Sequence, residues 1–226
     1  MKGKDRGGTI MKKILFFATC LGLVFSIFCS AFAEELKPIQ LPKPQVDGGK
    51  PLMQVLKERS SSREFSSQKM PLQVLSNLLW AASGVNRPES GRRTAPTAAN
   101  WQEIDIYLAM AEGLYLYEAK SHLLKPVLAE DIRALTGRQS FVKDAPLNLI
   151  YVADFSRIGR GTNEEKDFFP AADTGFIAQN VYLFCASEGM ATVVRANIDK
   201  PTLAKTMKLG PDQRITLSQT VGYAKK

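Results

Sequence analysis

The sequence predicts an α+β fold, in which a small, mostly antiparallel sheet packs between helices. Length and composition give the first support. The chain has 226 residues, 45% of them apolar and 23% charged, which is enough for one globular domain and too few for two domains of typical size. The order of elements gives the second. Predicted helices and strands follow one another without the regular βαβ alternation that parallel sheets require.

Helices are predicted from apolar spacing and from proline or glycine at their ends. Strands are predicted from apolar alternation, and the nearly continuous apolar run 147–153 predicts a buried central strand. Residues 85–100 predict a long loop of the kind that is usually functional or disordered. The helices are expected at 51–59, 71–83, 126–135, 170–188 and 200–208, and the strands at 104–108, 114–117, 147–153, 190–196 and 215–223.

The first 33 residues have the three parts of a secretory signal peptide. Lys12 and Lys13 precede an apolar run over 14–30, and small residues end the segment at Ala31 and Ala33. Cleavage after Ala33 would place the protein outside the cytoplasm, in the periplasm, with no stable membrane span. A retained membrane anchor is the alternative, since the run approaches the length that spans a bilayer. A lipid-modified Cys29 is disfavoured by the large Phe28 before it.

Removing this leader changes the charge and the cysteine count. The formal charge of the whole chain is +8, and the leader carries four of those net charges, which leaves +4. That surplus does not favour nucleic acid as a partner. Cys20 and Cys29 leave with the leader, so Cys185 is the single remaining cysteine and cannot form an internal disulfide. Its apolar neighbours predict a small core residue.

The rest of the chain is divided at residue 50. Residues 34–50 contain three prolines and the pair Gly48-Gly49, which predicts an extended arm outside the core. Residues 51–226 then form the domain.

A cluster of hydrogen-bond donors follows the first predicted helix. Arg59 and Arg63 flank three serines, and guanidinium groups with hydroxyls between them are suited to a phosphate. The alternative is an exposed, polar helix end.

Two further segments combine small and polar residues. Residues 92–102 allow a backbone to approach a flat ligand closely, and Asn100 and Gln102 have side chains that pair with amide edges; alternatively, this is a proline loop with Trp101 in the core. At 187–190, the long helix ends at Gly189, which either stops the helix or exposes a backbone amide to a ligand.

Taken in order, these segments resemble the nitroreductase family of FMN proteins. Arg59, Ser61 and Arg63 match its Arg-x-Ser-x-Arg/Lys segment. Its Pro-Ser-x-x-Asn-x-Gln loop is matched from Pro96 to Gln102, with Thr97 in place of the serine. Asp173-x-Gly175 and Gln179-Asn180 precede a Glu188-Gly189-Met190 corner, and Val221-Gly222-Tyr223 is close to a terminal Gly-Tyr-Pro. The resemblance runs from about Leu52 to Lys226.

The resemblance implies an FMN site at the interface of a homodimer. Arg59, Ser61 and Arg63 would bind the phosphate and the pyrimidine edge, with basic residues after the last strand as further contacts. The proline loop would line the isoalloxazine ring from the partner subunit, and Glu188 and Gly189 would lie near the flavin N5. Gln139 is a weaker candidate for the pyrimidine edge. The implied cofactor contacts are Arg59, Ser60, Ser61, Arg63, Pro96, Thr97, Ala98, Asn100, Gln139, Glu188, Gly189, Met190 and Lys225.

In this class the flavin carries the chemistry, so no catalytic side chain and no metal are expected. His122 is the single histidine, which argues against a Ser-His-Asp triad or a His-rich metal site, and it is expected in a turn or at the surface. The implied activity is a two-electron reduction of a small conjugated acceptor, such as a nitroaromatic or a quinone. NAD(P)H is the family's usual donor but is scarce outside the cytoplasm.

Two alternatives remain open. One is a flavin-binding protein with little turnover. The other is an azoline-type dehydrogenase, which the stretch from Tyr115 to His122 resembles; the short chain disfavours it.

Overall fold

A seven-stranded antiparallel sheet forms the centre of the described molecule, in the order β1-β6-β5-β4-β7-β9-β8. The computed structural model describes residues 35–159 and 161–225. A separate two-stranded hairpin, β2-β3, lies outside this sheet. The strands are β1 (Ile39–Gln40), β2 (Val85–Arg87), β3 (Arg92–Arg93), β4 (Ile104–Met110), β5 (Gly113–Glu118), β6 (Leu123–Leu128), β7 (Leu147–Asp154), β8 (Ala191–Arg195) and β9 (Gln213–Gly222).

Four α-helices accompany the sheet, and the α+β prediction with a mostly antiparallel sheet is confirmed. The helices are α1 (Leu52–Glu58), α2 (Leu72–Ser83), α3 (Asn163–Ser187) and α4 (Lys200–Thr206). Short 3-10 helices lie at Ala98–Asn100, Arg133–Thr136, Ser140–Lys143 and Phe155–Arg157.

The apolar run 147–153 is the central strand that its composition predicts. β7 pairs with β4 on one side and β9 on the other. Its two faces bury different clusters. Tyr151 lies in the larger cluster with α2 and α3, whereas Ile150 and Val152 pack with Leu203 and Met207 on the opposite face. Alternate residues of one strand therefore anchor both layers of helices.

The predicted helix at 126–135 is wrong. Residues 123–128 form β6, and only Arg133–Thr136 is helical, as a 3-10 turn. Pro126 lies opposite Tyr115, where the register between β5 and β6 shifts. A proline has no N–H to donate to the ladder, and an irregular position near a sheet edge tolerates that loss. Pairing of this segment with β5 therefore overrides the helix that its local pattern predicts.

The long helix α3 begins seven residues earlier than predicted, so Pro170 lies inside it and not at its start. Thr162 forms a capping box with Glu165: Thr162 Oγ1 accepts from the Glu165 N–H at 3.2 Å, and Glu165 Oε2 accepts from the Thr162 N–H at 2.8 Å. These reciprocal bonds start the helix at the Thr-x-x-Glu motif. The first turns extend α3 well beyond the region predicted from apolar spacing.

The arm is not wholly outside the core. Ile39 and Gln40 pair with Leu124 and Leu123 at the edge of the sheet, and Leu41 is 4% exposed within the main cluster. The predicted signal peptide and its cleavage site lie outside the described residues. Among the residues that the structure describes, no helix has the length and hydropathy needed to cross a membrane.

Cys185 and His122 lie where their sequence context predicts. Cys185 is fully buried, and this burial raises the pKa of its thiol, as expected for an unreactive core residue. His122 lies in the turn between β5 and β6 with φ +51°. Its ring hydrogen-bonds Ser76 and Tyr117, and burial lowers the pKa of the imidazole.

Candidate functional site

The segment Arg59–Arg63, here called the basic segment, is held against the end of the sheet. The helix α1 ends as the Arg59 N–H donates to the Val55 carbonyl at 2.8 Å. Farther on, the Ser62 N–H donates to the Thr192 carbonyl of β8 at 3.0 Å. The basic segment therefore runs beside the free edge of β8 and is attached to it at Ser62.

Tyr182 orders two of the predicted contacts. Its hydroxyl accepts the Val194 N–H at 2.9 Å and lies 2.9 Å from Ser61 Oγ, so the phenolic proton is free to point to Ser61. The Arg59 guanidinium lies over the Tyr182 ring, 5.3 Å from its centroid. A cation above an aromatic face is attracted to it. Tyr182 was not among the predicted contacts, because a tyrosine within a helix's apolar face carries no motif.

The end of the chain joins the basic segment. Phe65 forms a β-bridge with Ala224, and the Lys225 N–H donates to the Glu64 carbonyl at 3.4 Å. Lys225 is thus adjacent to Arg63, and both side chains are exposed. In the part of the chain that the structure describes, neither they nor Arg59 form an ion pair. Three cations with available charge are gathered at one edge, which suits a phosphate group.

The helix corner Glu188–Met190 follows α3 directly. The Glu188 N–H donates to Phe184 and the Met190 N–H to Cys185, the latter at 2.7 Å. Gly189 lies between them with φ +67°, a conformation that glycine adopts without strain. Glu188 and Gly189 are exposed, and the space above Gly189 is open; the Met190 side chain is buried. Ligand access at this corner is therefore to Glu188 and to backbone.

A cleft of about 590 Å³ borders the helix corner. It lies between the arm, α1, α2 and α3, and the arm contacts the corner where the Lys50 N–H donates to Ser187 Oγ at 2.9 Å. Residues of the predicted 85–100 loop also reach this cleft. Its lining includes Trp80, Asn86, Thr94, Asn180 and Glu188.

The proline loop, Pro96–Gln102, is held by internal bonds. The Gln102 N–H donates to Thr97 Oγ1 at 3.2 Å, and the Gln102 amide donates to Asn100 Oδ1 and accepts from Arg93 Nε. Ala99, Asn100 and Gln102 all have positive φ, between 47° and 58°. Non-glycine residues adopt that region at a cost, so other contacts must impose this conformation. Gln102, expected as a ligand contact, acts here within the loop.

The proline loop and the helix corner are far apart within one chain. The Ala98 N–H donates to Asp173 Oδ2 at 2.8 Å, which fixes the loop beside the first half of α3. Glu188 follows 15 residues later, or about 22 Å along a helix. One chain thus carries two half-sites: the basic segment with the helix corner, and the proline loop.

Gln139 lies in a third place. It lines a cleft of about 450 Å³ with Arg138, Lys143 and Asp199, and the described lining contains no other predicted cofactor contact. The structure therefore does not bring Gln139 together with either half-site.

Comparisons with known proteins agree with this architecture. The family model described as the nitroreductase family matches residues 56–223. A protein of Methanocaldococcus jannaschii assigned as a nitroreductase is 34% identical over 152 residues, covering 63% of this chain and 76% of the relative.

Among solved structures, one from Ralstonia eutropha JMP134, also assigned as a nitroreductase, is 43% identical with a TM-score of 0.81, covering 87% of this chain and 92% of that one. The NADPH:FMN oxidoreductase from Vibrio harveyi, solved with NAD+, shares the fold at 16% identity and a TM-score of 0.60, covering 77% and 69%. With a family model spanning most of the chain, and relatives that match both in sequence and in fold, this chain belongs to the nitroreductase family.

Proposed function

We propose that the protein binds FMN at the interface of a homodimer and reduces a small conjugated acceptor, such as a nitroaromatic or a quinone, by two electrons. The observation that carries this proposal is the course of the basic segment along the free edge of β8, where Ser61 contacts Tyr182 and the backbone of Lys225 pairs with that of Glu64. Membership of the nitroreductase family supports an oxidoreductase that uses a flavin.

The residues present fit the cofactor. Arginines donate forked, charge-assisted bonds to phosphate oxygens, and Ser61 adds a neutral hydroxyl that Tyr182 already orients. Arg59, Ser61, Arg63 and Lys225 would hold the phosphate, with Ser60 beside them. The open space above Gly189 lets a planar ring approach the backbone of the helix corner.

The separation of the half-sites supports a dimer. The outer face of α3 exposes Ala171, Gly175 and Phe176 beside the attachment of the proline loop, and Phe168, one turn before Ala171, is 63% exposed. Exposed apolar surface of this extent along one helix is typical of an interface. Two α3 helices packed antiparallel about a two-fold axis would bring the proline loop of one chain to the helix corner of the other. Leu52 and Met53 of α1 are similarly exposed.

The flavin would supply the redox chemistry, since it accepts and donates two electrons at N5. The protein's part is to bind and orient. The cleft beside the helix corner would receive the acceptor, and Glu188 places a carboxylate at its wall. Trp80 and Phe184 add aromatic side chains to the wall of the same cleft.

FMN binding is tested by titrating the full chain with FMN and following flavin fluorescence and absorbance. We expect a yellow complex, and we expect Arg59→Ala and Arg63→Ala each to weaken binding by about 1.5–3 kcal/mol, because each removes a charge-assisted bond to the phosphate. Lys120→Ala is the matched control: it removes an exposed cation from the β5–β6 turn, at the other side of the sheet, and should leave binding unchanged.

The outcomes separate the proposals. A protein that takes up no FMN contradicts the cofactor, and unchanged binding in both arginine variants contradicts the phosphate site. Bleaching of the bound flavin by NADH or NADPH would support a nicotinamide donor. Bleaching by dithionite alone would indicate a different donor, and stable binding without turnover of any nitroaromatic or quinone would indicate a flavin-holding protein.

A further inference from the structure

Glu103 is a buried carboxyl group directly behind the proline loop. It follows Gln102, immediately before β4, and its side chain is 0% exposed. Among the described residues, no donor forms a hydrogen bond with either of its carboxylate oxygens. An ionised carboxylate in such a place would be very costly, because burial removes its water without replacing it.

The group beside it is a second buried carboxyl. Asp173 of α3 is 2% exposed, and it is the neighbouring carboxyl that, after burial, raises the pKa of Glu103. Asp173 Oδ2 already accepts the Ala98 N–H at 2.8 Å. Two ionised carboxylates in contact repel each other, whereas one proton between them makes Glu103 a donor and leaves Asp173 an acceptor. A single shared proton therefore satisfies Glu103 and preserves the bond to the proline loop.

The surrounding charges do not supply another partner. Arg157, in the 3-10 turn after β7, pairs with Asp105 of β4 at 2.6 Å and with Asp154 of β7 at 3.2 Å. It also donates to the Gln102 carbonyl. Arg93, before the proline loop, donates to Gln102 Oε1. Both cations are thus engaged around the loop, and burial together with the Asp173 carboxyl raises the pKa of Glu103 to about 7.

We propose that Glu103 and Asp173 share one proton and act as a positioning pair, which holds the proline loop in its strained conformation through the Ala98 N–H. Loss of the proton sets two charges against each other behind the loop and releases the conformation of Ala99 and Asn100. The effect of the pair on flavin binding rests on the proposed function; its effect on the protein itself does not.

The first test is thermal unfolding without flavin, from pH 5 to pH 8.5, of the full chain and of Glu103→Gln. The folded state holds the proton of Glu103 more tightly than the unfolded state, so stability falls as pH rises from about 4.5 to about 7. The glutamine keeps a donor toward Asp173 and cannot ionise. We expect the melting temperature of the wild type to drop relative to that of Glu103→Gln by at least about 3 °C across this range.

Glu112→Gln is the matched control, since Glu112 lies on the β4–β5 turn, paired with Lys69. That pairing lowers the pKa of Glu112, and Glu112→Gln keeps Glu103, so the melting temperature of the wild type relative to this variant should not fall between pH 5 and pH 8.5. Infrared difference spectra of wild type against Glu103→Gln give a second measurement: a protonated-carboxyl band at pH 5.5 that is absent at pH 8.5. A melting difference independent of pH, or the lack of such a band, overturns the proposal.

Asp173→Asn keeps the proposal testable if Glu103→Gln does not fold. The amide can still accept from Ala98 but carries no charge, so the fall in melting temperature with pH should shrink; an unchanged fall overturns the proposal.

Finally, FMN affinity of the wild type should drop several-fold between pH 6 and pH 8.5 relative to Glu103→Gln. If no flavin binds while melting and infrared results hold, only the cofactor assignment fails. If flavin binds while both results are flat, only the positioning pair fails.

Discussion

Arg195 is a cation buried on the face of the sheet opposite α3. It is 6% exposed, and in the described part of the chain it forms no ion pair. Instead it donates, at 2.8–3.0 Å, to the Thr136 carbonyl and to three side chains of two strands, Asn148 of β7 and Ser218 and Thr220 of β9. Burial lowers the pKa of its guanidinium to about 10, so it remains charged at neutral pH.

Replacing this cation should destabilise the fold. We expect Arg195→Met to lower the free energy of unfolding by about 2–4 kcal/mol, because several buried acceptors lose their donor at once. Urea denaturation measures the change. Arg138→Met is the control: Arg138 is 65% exposed and 3.7 Å from Asp199, and its loss should cost under about 0.5 kcal/mol. A loss of unfolding free energy in Arg195→Met as small as that in the control would show that the buried acceptors find other donors.

Single residues show where sequence analysis stops. Arg59, Ser61 and Arg63 could be selected because they are close together in sequence and share one chemistry. Tyr182 could not, since its contact with Ser61 spans 121 positions and depends on the packing of α3 against β8. The same holds for Glu103 and Asp173, 70 positions apart, which become a pair only when β4 meets α3.

The exposed face of α3 is the element on which the proposed dimer depends most. Phe176 is 48% exposed near the middle of this face, so we expect Phe176→Glu to shift the protein from dimer to monomer in analytical ultracentrifugation, since two buried charges would meet across the axis. Val127→Glu places the same charge on an exposed apolar residue of β6 and should leave the sedimentation unchanged. A wild type that sediments as a monomer would contradict the dimer directly.

The elements differ in how well their patterns predicted them. Helix α2, with five residues in one apolar stripe, and strand β7, with an apolar run, were predicted to within a residue or two, because burial and periodicity point the same way. At 126–135 the local pattern and the final structure differ, since β5 offers a partner that the isolated segment cannot reveal. For α3, the capping box was readable in the sequence and outweighed the start suggested by Pro170.

At the scale of the whole molecule, Cys185 gives a probe of cooperative stability. Its thiol is fully buried among the residues of the main cluster, and burial raises its pKa, so it should react with a disulfide reagent only when the domain opens. In a Cys20→Ser, Cys29→Ser variant, we expect negligible labelling of the native protein and complete labelling in denaturant. Rapid labelling without denaturant would show a local opening of α3.

The fold class and the family could be predicted from the sequence, because four short motifs occur in order along one domain. The grouping of these motifs into two half-sites was not, since it requires the length and course of α3. Export also remains a prediction from the leader, and the electron donor is identified by the bleaching experiment and not by the fold.

The 25 residues of α3 extend for about 37 Å as one rod. Asp173, in the first half of the helix, touches the proline loop, and Tyr182, nine residues later, touches the basic segment. A tilt of only about 5° about one end would move the other by about 3 Å, which is the length of a hydrogen bond. In a dimer, each rod would border both cofactors, so a movement at one flavin would be transmitted mechanically to the second, and the two sites of the assembly would report on each other's occupancy.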